Sequence, residues 1–378
     1  MARPETGAIA SGPVSTDPRE RRIAALRVAL VSSQLDALVV TCLPNVRYLS
    51  GFSGSAAILV VTAVELVVLT DFRYSVQVRD EVGALARAII EPSSLWARLV
   101  TVLSQLRGLH HVGFESAHVS HADYQRLLDD HRERAWQWRP TTNLVEAQRS
   151  AKDDGEVEAI RDAVRIAEHA LERTVTQVRA GMREEEICGL LEGHLRAGGS
   201  ESHPFETIVA TGIRSALPHA HCSSRRVSSG EWLLIDFGAV SRGYCSDITR
   251  TFVVGRATDK QRALYSVVRE SNETASGGIR AGMRGKDADA LARGYIERHG
   301  WGEEFGHSLG HGIGLEVHEA PRLSRSNDAP LPERAVVTVE PGIYRPGWGG
   351  VRLEDDVLLT AAGPEVLTTF SRDLIELG

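Results

Sequence analysis

The sequence predicts an α/β amino-terminal domain followed by an α+β domain with an internal pseudo-twofold repeat. Three observations predict it. The 378 residues exceed one average domain. Strand-like apolar runs alternate with helical patterns up to about residue 145. A helix-helix-hairpin pattern then occurs twice, and residues 161–199 align with residues 262–300 without a gap. The expected division is a disordered tail over 1–19, an α/β domain over 20–145 and the repeated domain over 150–378.

Residues 1–19 are small, polar and interrupted by Pro and Gly, which gives the tail reading. Arg21-Arg22 precedes an apolar stretch that could suggest an export signal. Arg27, Gln34 and Asp36 interrupt it, so an amphipathic helix leading into a strand is expected. LDALVVT, AAILVVT, VELVVLT, ARAII and HHVGF read as buried strands, and SLWARLVTVLSQL and HADYQRLLDDH as helices. Residues 45–55, NVRYLSGFSGS, read as a Gly/Ser loop that does not match a phosphate-binding P-loop. His110-His111 is a strand-edge surface pair. No catalytic constellation stands out in this half.

Asp153 or Asp154 is the expected N-cap of a long helix. Both copies of the repeat carry RAGMR, at residues 179–183 and 280–284, and each copy leads to a hairpin bearing two carboxylates. The first is WLLIDFGAVSRGYCSDITRTF, residues 232–252. If its turn centres on Ser241 and Arg242, Asp236 and Asp247 lie nearly opposite. Directly opposed like charges destabilise a sheet, and a hard cation between them removes the conflict. In the second hairpin Glu340 ends VVTVE, Glu354 sits in VRLEDDVLL, and a turn-rich YRPGWGG lies between. Hairpins meeting at a pseudo-twofold axis bring Asp236, Asp247, Glu340 and Glu354 together. GHSLGHGIGLEVHE, residues 306–319, adds His307, His311 and His318 among glycines.

Four carboxylates and one imidazole suit two divalent ions, because a buried cluster of four negative charges needs that much compensation. Oxygen-rich ligation favours Mn²⁺ or Mg²⁺, and an imidazole admits Co²⁺, Fe²⁺ or Zn²⁺. Two such ions ionise a bridging water and stabilise an oxyanion, which is hydrolysis of an amide or ester. A net charge of −7 argues against nucleic acid, and no apolar run is long enough to span a bilayer. Cys42, Cys188, Cys222 and Cys245 are widely spaced with no CxxC pair, as expected for free thiols in the cytoplasm. His221 and Cys222 in HAHC read as loop residues, and Cys245 as a strand residue facing away from the ions.

SALPHA, LLIDFGAVSRGYCSDITRTF, GHGIGLEVHE, VVTVEPGIY and GVRLEDDVLLT resemble the signature blocks of the pita-bread metallopeptidases, most of all aminopeptidase P and prolidase. The resemblance spans the chain and implies a creatinase-like first domain and a pita-bread second domain. It implies Asp236, Asp247, His311, Glu340 and Glu354 as ligands of two ions per subunit, with Asp247 and Glu354 bridging. Manganese is the expected metal, with Co²⁺ or Zn²⁺ as alternatives. His219, His318 and Glu340 become the catalytic residues, and His219, His307, His318 and Arg352 line the substrate. The implied activity is cleavage of Xaa-Pro dipeptides or short peptides by a homodimer. Creatinase-like C–N hydrolysis without metal and a non-catalytic peptide-binding scaffold are the alternatives, and the intact ligand set argues against both. Methionine aminopeptidase shares the ligands but usually lacks the first domain.

Overall fold

The computed structural model describes residues 16–129 and 136–378. Residues 1–15 of the expected tail lie outside the described residues, and the first helix already starts at Pro18. The chain divides into two compact units, residues 1–148 and 149–378.

The first unit runs α1 (Pro18–Ser32), β1 (Ala37–Val40), α2 (Leu43–Ser50), β2 (Ala57–Thr62), β3 (Leu66–Thr70), α3 (Gln77–Val82), β4 (Arg87–Ile90), α4 (Leu95–Gln105), β5 (His111–Glu115), α5 (His121–Asp129) and β6 (Gln137–Thr141). Its mixed sheet has the order β4-β3-β2-β1-β5-β6. The β1–β5 and β5–β6 pairs are parallel, and β2 is antiparallel to both its neighbours. Strands β1, β2 and β3 are buried throughout, as continuous Val/Leu/Ile runs require. The loop expected over 45–55 is corrected: its first six residues belong to α2. Pro44 stands in the first turn and Gly51 closes the helix with φ +81°, so punctuation that looks loop-like bounds a short helix.

After α6 (Glu146–Arg149) comes α7 (Asp154–Val175), whose N-cap Asp153 accepts from the Glu156 amide and donates its own amide to the Glu156 carboxylate. Then follow α8 (Glu184–Ala197), β7 (Ile208–Thr211), β8 (Glu231–Phe237), β9 (Val240–Ser241), β10 (Tyr244–Cys245), β11 (Ile248–Val254), α9 (Asp259–Gly278), α10 (Gly285–Arg298), β12 (Gly310–Gly312), β13 (Glu319–Leu323), β14 (Val336–Val339), β15 (Gly342–Arg345), β16 (Gly349–Arg352), β17 (Asp355–Thr360), β18 (Gly363–Val366) and β19 (Glu376–Leu377). The larger sheets are β19-β11-β8-β7 and β13-β12-β14-β17-β18, and β9-β10 and β15-β16 form two-stranded ones. One core packs α7 and α8 against β8 and β11, and another packs α9 and α10 against β14 and β17. The halves match in detail. Gly181 and Gly282 both have positive φ, and their amides donate at 2.8 Å to Val227 and Leu331.

The first hairpin turns at Arg242 and Gly243, both with positive φ, not at Ser241 and Arg242. Two left-handed central residues define the type I′ turn, and Gly supplies the second at no steric cost. The register moves accordingly: Thr249, not Asp247, lies opposite Asp236. Asp247 sits between β10 and β11, where regular pairing lapses.

Candidate active site

Four of the five ligand candidates stand at an irregularity in a strand, where a side chain can leave the pleat, and Asp236 stands in regularly paired β8. Asp236 is near the end of β8, and Asp247 lies between β10 and β11. Glu340 follows β14, Glu354 lies between β16 and β17, and His311 is in the centre of β12. A cavity of about 430 Å³ is lined by all five, together with His219, His307, His318 and Arg352. All nine residues singled out in the sequence are therefore brought to one place.

One ligand atom each from Asp247, His311 and Glu354 lie within 4.8 Å of one another. His311 Nε2 is 3.7 Å from Asp247 Oδ2 and 3.5 Å from Glu340 Oε1. Its Nδ1 is 3.1 Å from the Gly312 carbonyl, which accepts the ring proton and leaves the Nε2 lone pair facing the carboxylates. Gly310 and Gly312 permit this. A Cβ on Gly310 would stand 2.0 Å from the Thr338 carbonyl oxygen, and one on Gly312 would stand 2.2 Å from that of Ala320.

Arg352 organises the Asp236 side. Its Nη2 donates to Asp236 Oδ2 at 2.5 Å and its Nη1 to the Tyr344 hydroxyl at 2.7 Å. Tyr344, having accepted, donates to His307 Nε2 at 2.9 Å, and His307 Nδ1 then donates to the Ser308 carbonyl at 2.8 Å. Thr249 donates to Glu354 Oε2 at 2.6 Å.

Burial, reinforced by the neighbouring carboxylates, holds Asp247 and Glu354 well above the usual carboxylate range. Burial also pushes Glu340 up to about 8. The same burial lowers His311 to about 3 and His307 to about 4, which keeps both imidazoles neutral. Asp236 Oδ1 and Asp247 Oδ1 are buried without a hydrogen-bond partner among the described residues. Buried carboxylate oxygens without donors, beside a lone pair of neutral imidazole, are what cations satisfy. The residues present thus suit a divalent centre.

His219 and His318 are exposed at the cavity, and the His318 ring stands edge-on to His311 at 4.3 Å. Phe205, Ile208 and Arg322 also line the cavity, and Tyr344 and Thr249 brace it, although none of the five stands out as a site residue in the sequence. Tyr344 lies four residues past Glu340 in VEPGIY, so its nearness in sequence was the one available signal. His221 also lines the cavity while pairing with Glu206 at 3.0 Å. Cys245 is buried in the core beside Val240 and Tyr244 and is absent from the cavity lining.

A duplicated α+β domain with this acidic, histidine-lined cavity is the architecture of a metallopeptidase. Residues 158–361 match the model of metallopeptidase family M24, and residues 22–151 match the creatinase/prolidase N-terminal domain. The chain belongs to metallopeptidase family M24. It is 35% identical over 343 residues to the Xaa-Pro dipeptidase of Pyrococcus horikoshii, covering 91% of this chain and 95% of the relative. Among solved structures, the Xaa-Pro dipeptidase from Bacillus anthracis superposes with a TM-score of 0.90 at 39% identity, over 95% of this chain and 100% of that one. The X-Pro aminopeptidase from Thermotoga maritima MSB8 gives 0.87 at 39% identity, over 94% and 99%.

Proposed function

We propose that this chain is an exopeptidase that cleaves the bond between an amino-terminal residue and proline. Asp236, Asp247, His311, Glu340 and Glu354 are the residues that would hold two divalent ions. The observation that carries the reading is the convergence of four carboxylates from two hairpins on one buried imidazole, with donor-free oxygens left over. The oxygen-rich set favours Mn²⁺, and His311 also admits Co²⁺ or Zn²⁺. When bound, such ions supply Lewis acidity and a water-derived nucleophile at neutral pH.

The protein's own groups do the rest. Arg352 fixes the Asp236 carboxylate by one oxygen and turns the other toward the centre. Thr249 does the same for Glu354. Neutral His307, held by Tyr344, borders the substrate side. His219 and His318 stand where one can steady the developing oxyanion and the other can protonate the departing proline nitrogen. A proline nitrogen carries no amide proton, so the site needs no acceptor for one. Phe205, Ile208, Pro218 and Ala220 supply apolar wall for the ring. The working form is a homodimer in the cytoplasm, acting on proline-containing dipeptides or short peptides without nucleic acid or membrane. The four free cysteines suit that compartment.

The test is a Mn²⁺-supplemented assay of Ala-Pro, Ala-Ala and Ala-Pro-Yaa-Zaa. Ala-Pro is expected to exceed Ala-Ala in kcat/KM by about 100-fold, as ~3 kcal/mol of discrimination gives. Equal values would remove proline from the assignment, and the longer peptide separates dipeptidase from aminopeptidase.

A further inference from the structure

The first unit contains a second cluster of metal-ligand type, unrelated to the acidic cavity. Ligand atoms of Cys42, His118 and Glu146 lie within 4.8 Å of one another. The fold explains why they meet. Strands β1 and β5 are parallel neighbours, and the sheet order reverses between them: β2, β3 and β4 extend to one side of β1, and β5 and β6 lie on the other. Ligands of open α/β sheets bind at the carboxyl ends of strands at such a reversal. Cys42 follows the end of β1 as the N-cap of α2, and His118 follows the end of β5. Glu146 opens α6.

The chemistry there is that of a borderline-soft ion. His118 Nε2 is 3.2 Å from Glu146 Oε1, close to the roughly 3.3–3.6 Å that separates two ligands of one tetrahedral zinc. Cys42 adds sulfur and is buried, while His118 opens to solvent and gives an ion a way in. A second carboxylate stands behind. Glu115 is buried, and Asn45 Nδ2 donates at 2.7 Å to both Glu115 Oε1 and Glu146 Oε1. Two carboxylates sharing one neutral donor gain from a nearby cation. A cavity of about 60 Å³ borders Glu115, His118 and Glu146.

We propose that Cys42, His118 and Glu146 form a binding site for a Zn²⁺-class ion on the amino-terminal unit, with a fourth position left to solvent. Binding converts the Cys42 thiol to thiolate and releases its proton to solvent. Asn45 and Glu115 orient Glu146 from outside.

The test uses Co²⁺ titrated into the full-length protein. The acidic cavity offers only oxygen and nitrogen donors, so a thiolate-to-cobalt charge-transfer band in the near ultraviolet reports this site alone. The band is expected in the wild type, absent in Cys42→Ser and retained in Cys188→Ser/Cys222→Ser. His118→Ala, a change at an exposed turn, is expected to weaken the Co²⁺ affinity read from the band by tenfold or more. No band at saturating Co²⁺, a band that survives Cys42→Ser, or unchanged affinity in His118→Ala would each overturn the proposal.

Discussion

Arg352 touches Asp236 and Tyr344 at once, and through Tyr344 reaches His307. A planar fork does this and an ammonium cannot. Arg352→Lys is therefore expected to lower kcat by tenfold or more with the fold intact by circular dichroism; unchanged kcat would show that the fork is not needed. Asp247→Ala and Glu354→Ala should each abolish turnover and bound metal, and full metal content in either would sink the ligand assignment. His318→Ala should cut turnover by roughly 10²–10⁴-fold while metal stays, since His318 lies outside the Asp247–His311–Glu354 triplet. Loss of metal there would move His318 among the ligands. Residues of this kind were legible because carboxylates inside apolar strands and histidines among glycines contradict their surroundings. Phe205, Ile208 and Thr249 do not. An apolar or hydroxyl side chain in a strand is ordinary, and only the fold shows that it faces a cavity.

At the scale of elements, the loop from β12 to β13 joins His311 to His318 and is clamped from below. Glu319 receives Arg149 Nη2 at 2.5 Å and Lys152 Nζ at 2.6 Å, and Arg149 also holds Glu316 at 2.8 Å. The side chains of Arg149, Lys152 and Glu319 are almost fully buried. Removing one partner of a buried pair costs about 3–5 kcal/mol. Lys152→Met should therefore lower the denaturation midpoint markedly, whereas the exposed pair Arg126–Asp123 should yield under 1 kcal/mol in the same measurement. Equal effects would make the clamp ornamental. Its parts were invisible in the sequence, because Arg149 and Lys152 sit far from Glu319 along the chain and look like a polar linker. The helices α7 to α10 and the hairpins were legible by contrast, since each carries its own apolar period, and α7 and α9 carry a capping box as well. The first turn was misplaced by one residue because Arg242-Gly243 and Ser241-Arg242 compete, and only the left-handed demand of the tight turn decides between them.

For the whole molecule, the burial that raises Asp247, Glu340 and Glu354 makes a prediction about metal-free protein. A carboxyl whose folded pKa is raised binds its proton more tightly in the folded state. Its contribution is present below the unfolded value near 4.5 and is lost as pH climbs through about 8 for Glu340. The neutral imidazoles of His307 and His311 act in the opposite sense up to the unfolded histidine value near 6.5, so metal-stripped protein should lose thermal stability from about pH 6.5 to 8, and added Mn²⁺ should flatten the curve. A flat curve without metal would contradict the burial argument. Light scattering should also find a homodimer; a fully active monomer would refute that assembly. The duplicated architecture was readable because the repeat keeps a gap-free register. Strands β6 and β13 were not, since QWRPT and EAPRL each hold a proline and no clean alternation.

The two halves also meet through Asp236 and Arg352, 116 positions apart, and through the Asp247 amide and Asp356 carboxylate, 109 apart. In the statistics of the unfolded chain, a link across such a span removes a great deal of freedom, on the order of 4–5 kcal/mol for a covalent loop of about 100 residues. An ion held by both hairpins, as proposed above, would act as a removable rivet of that reach. Chelation would then do more than silence a reaction: it would return to the chain the freedom of a loop that makes up nearly a third of its length.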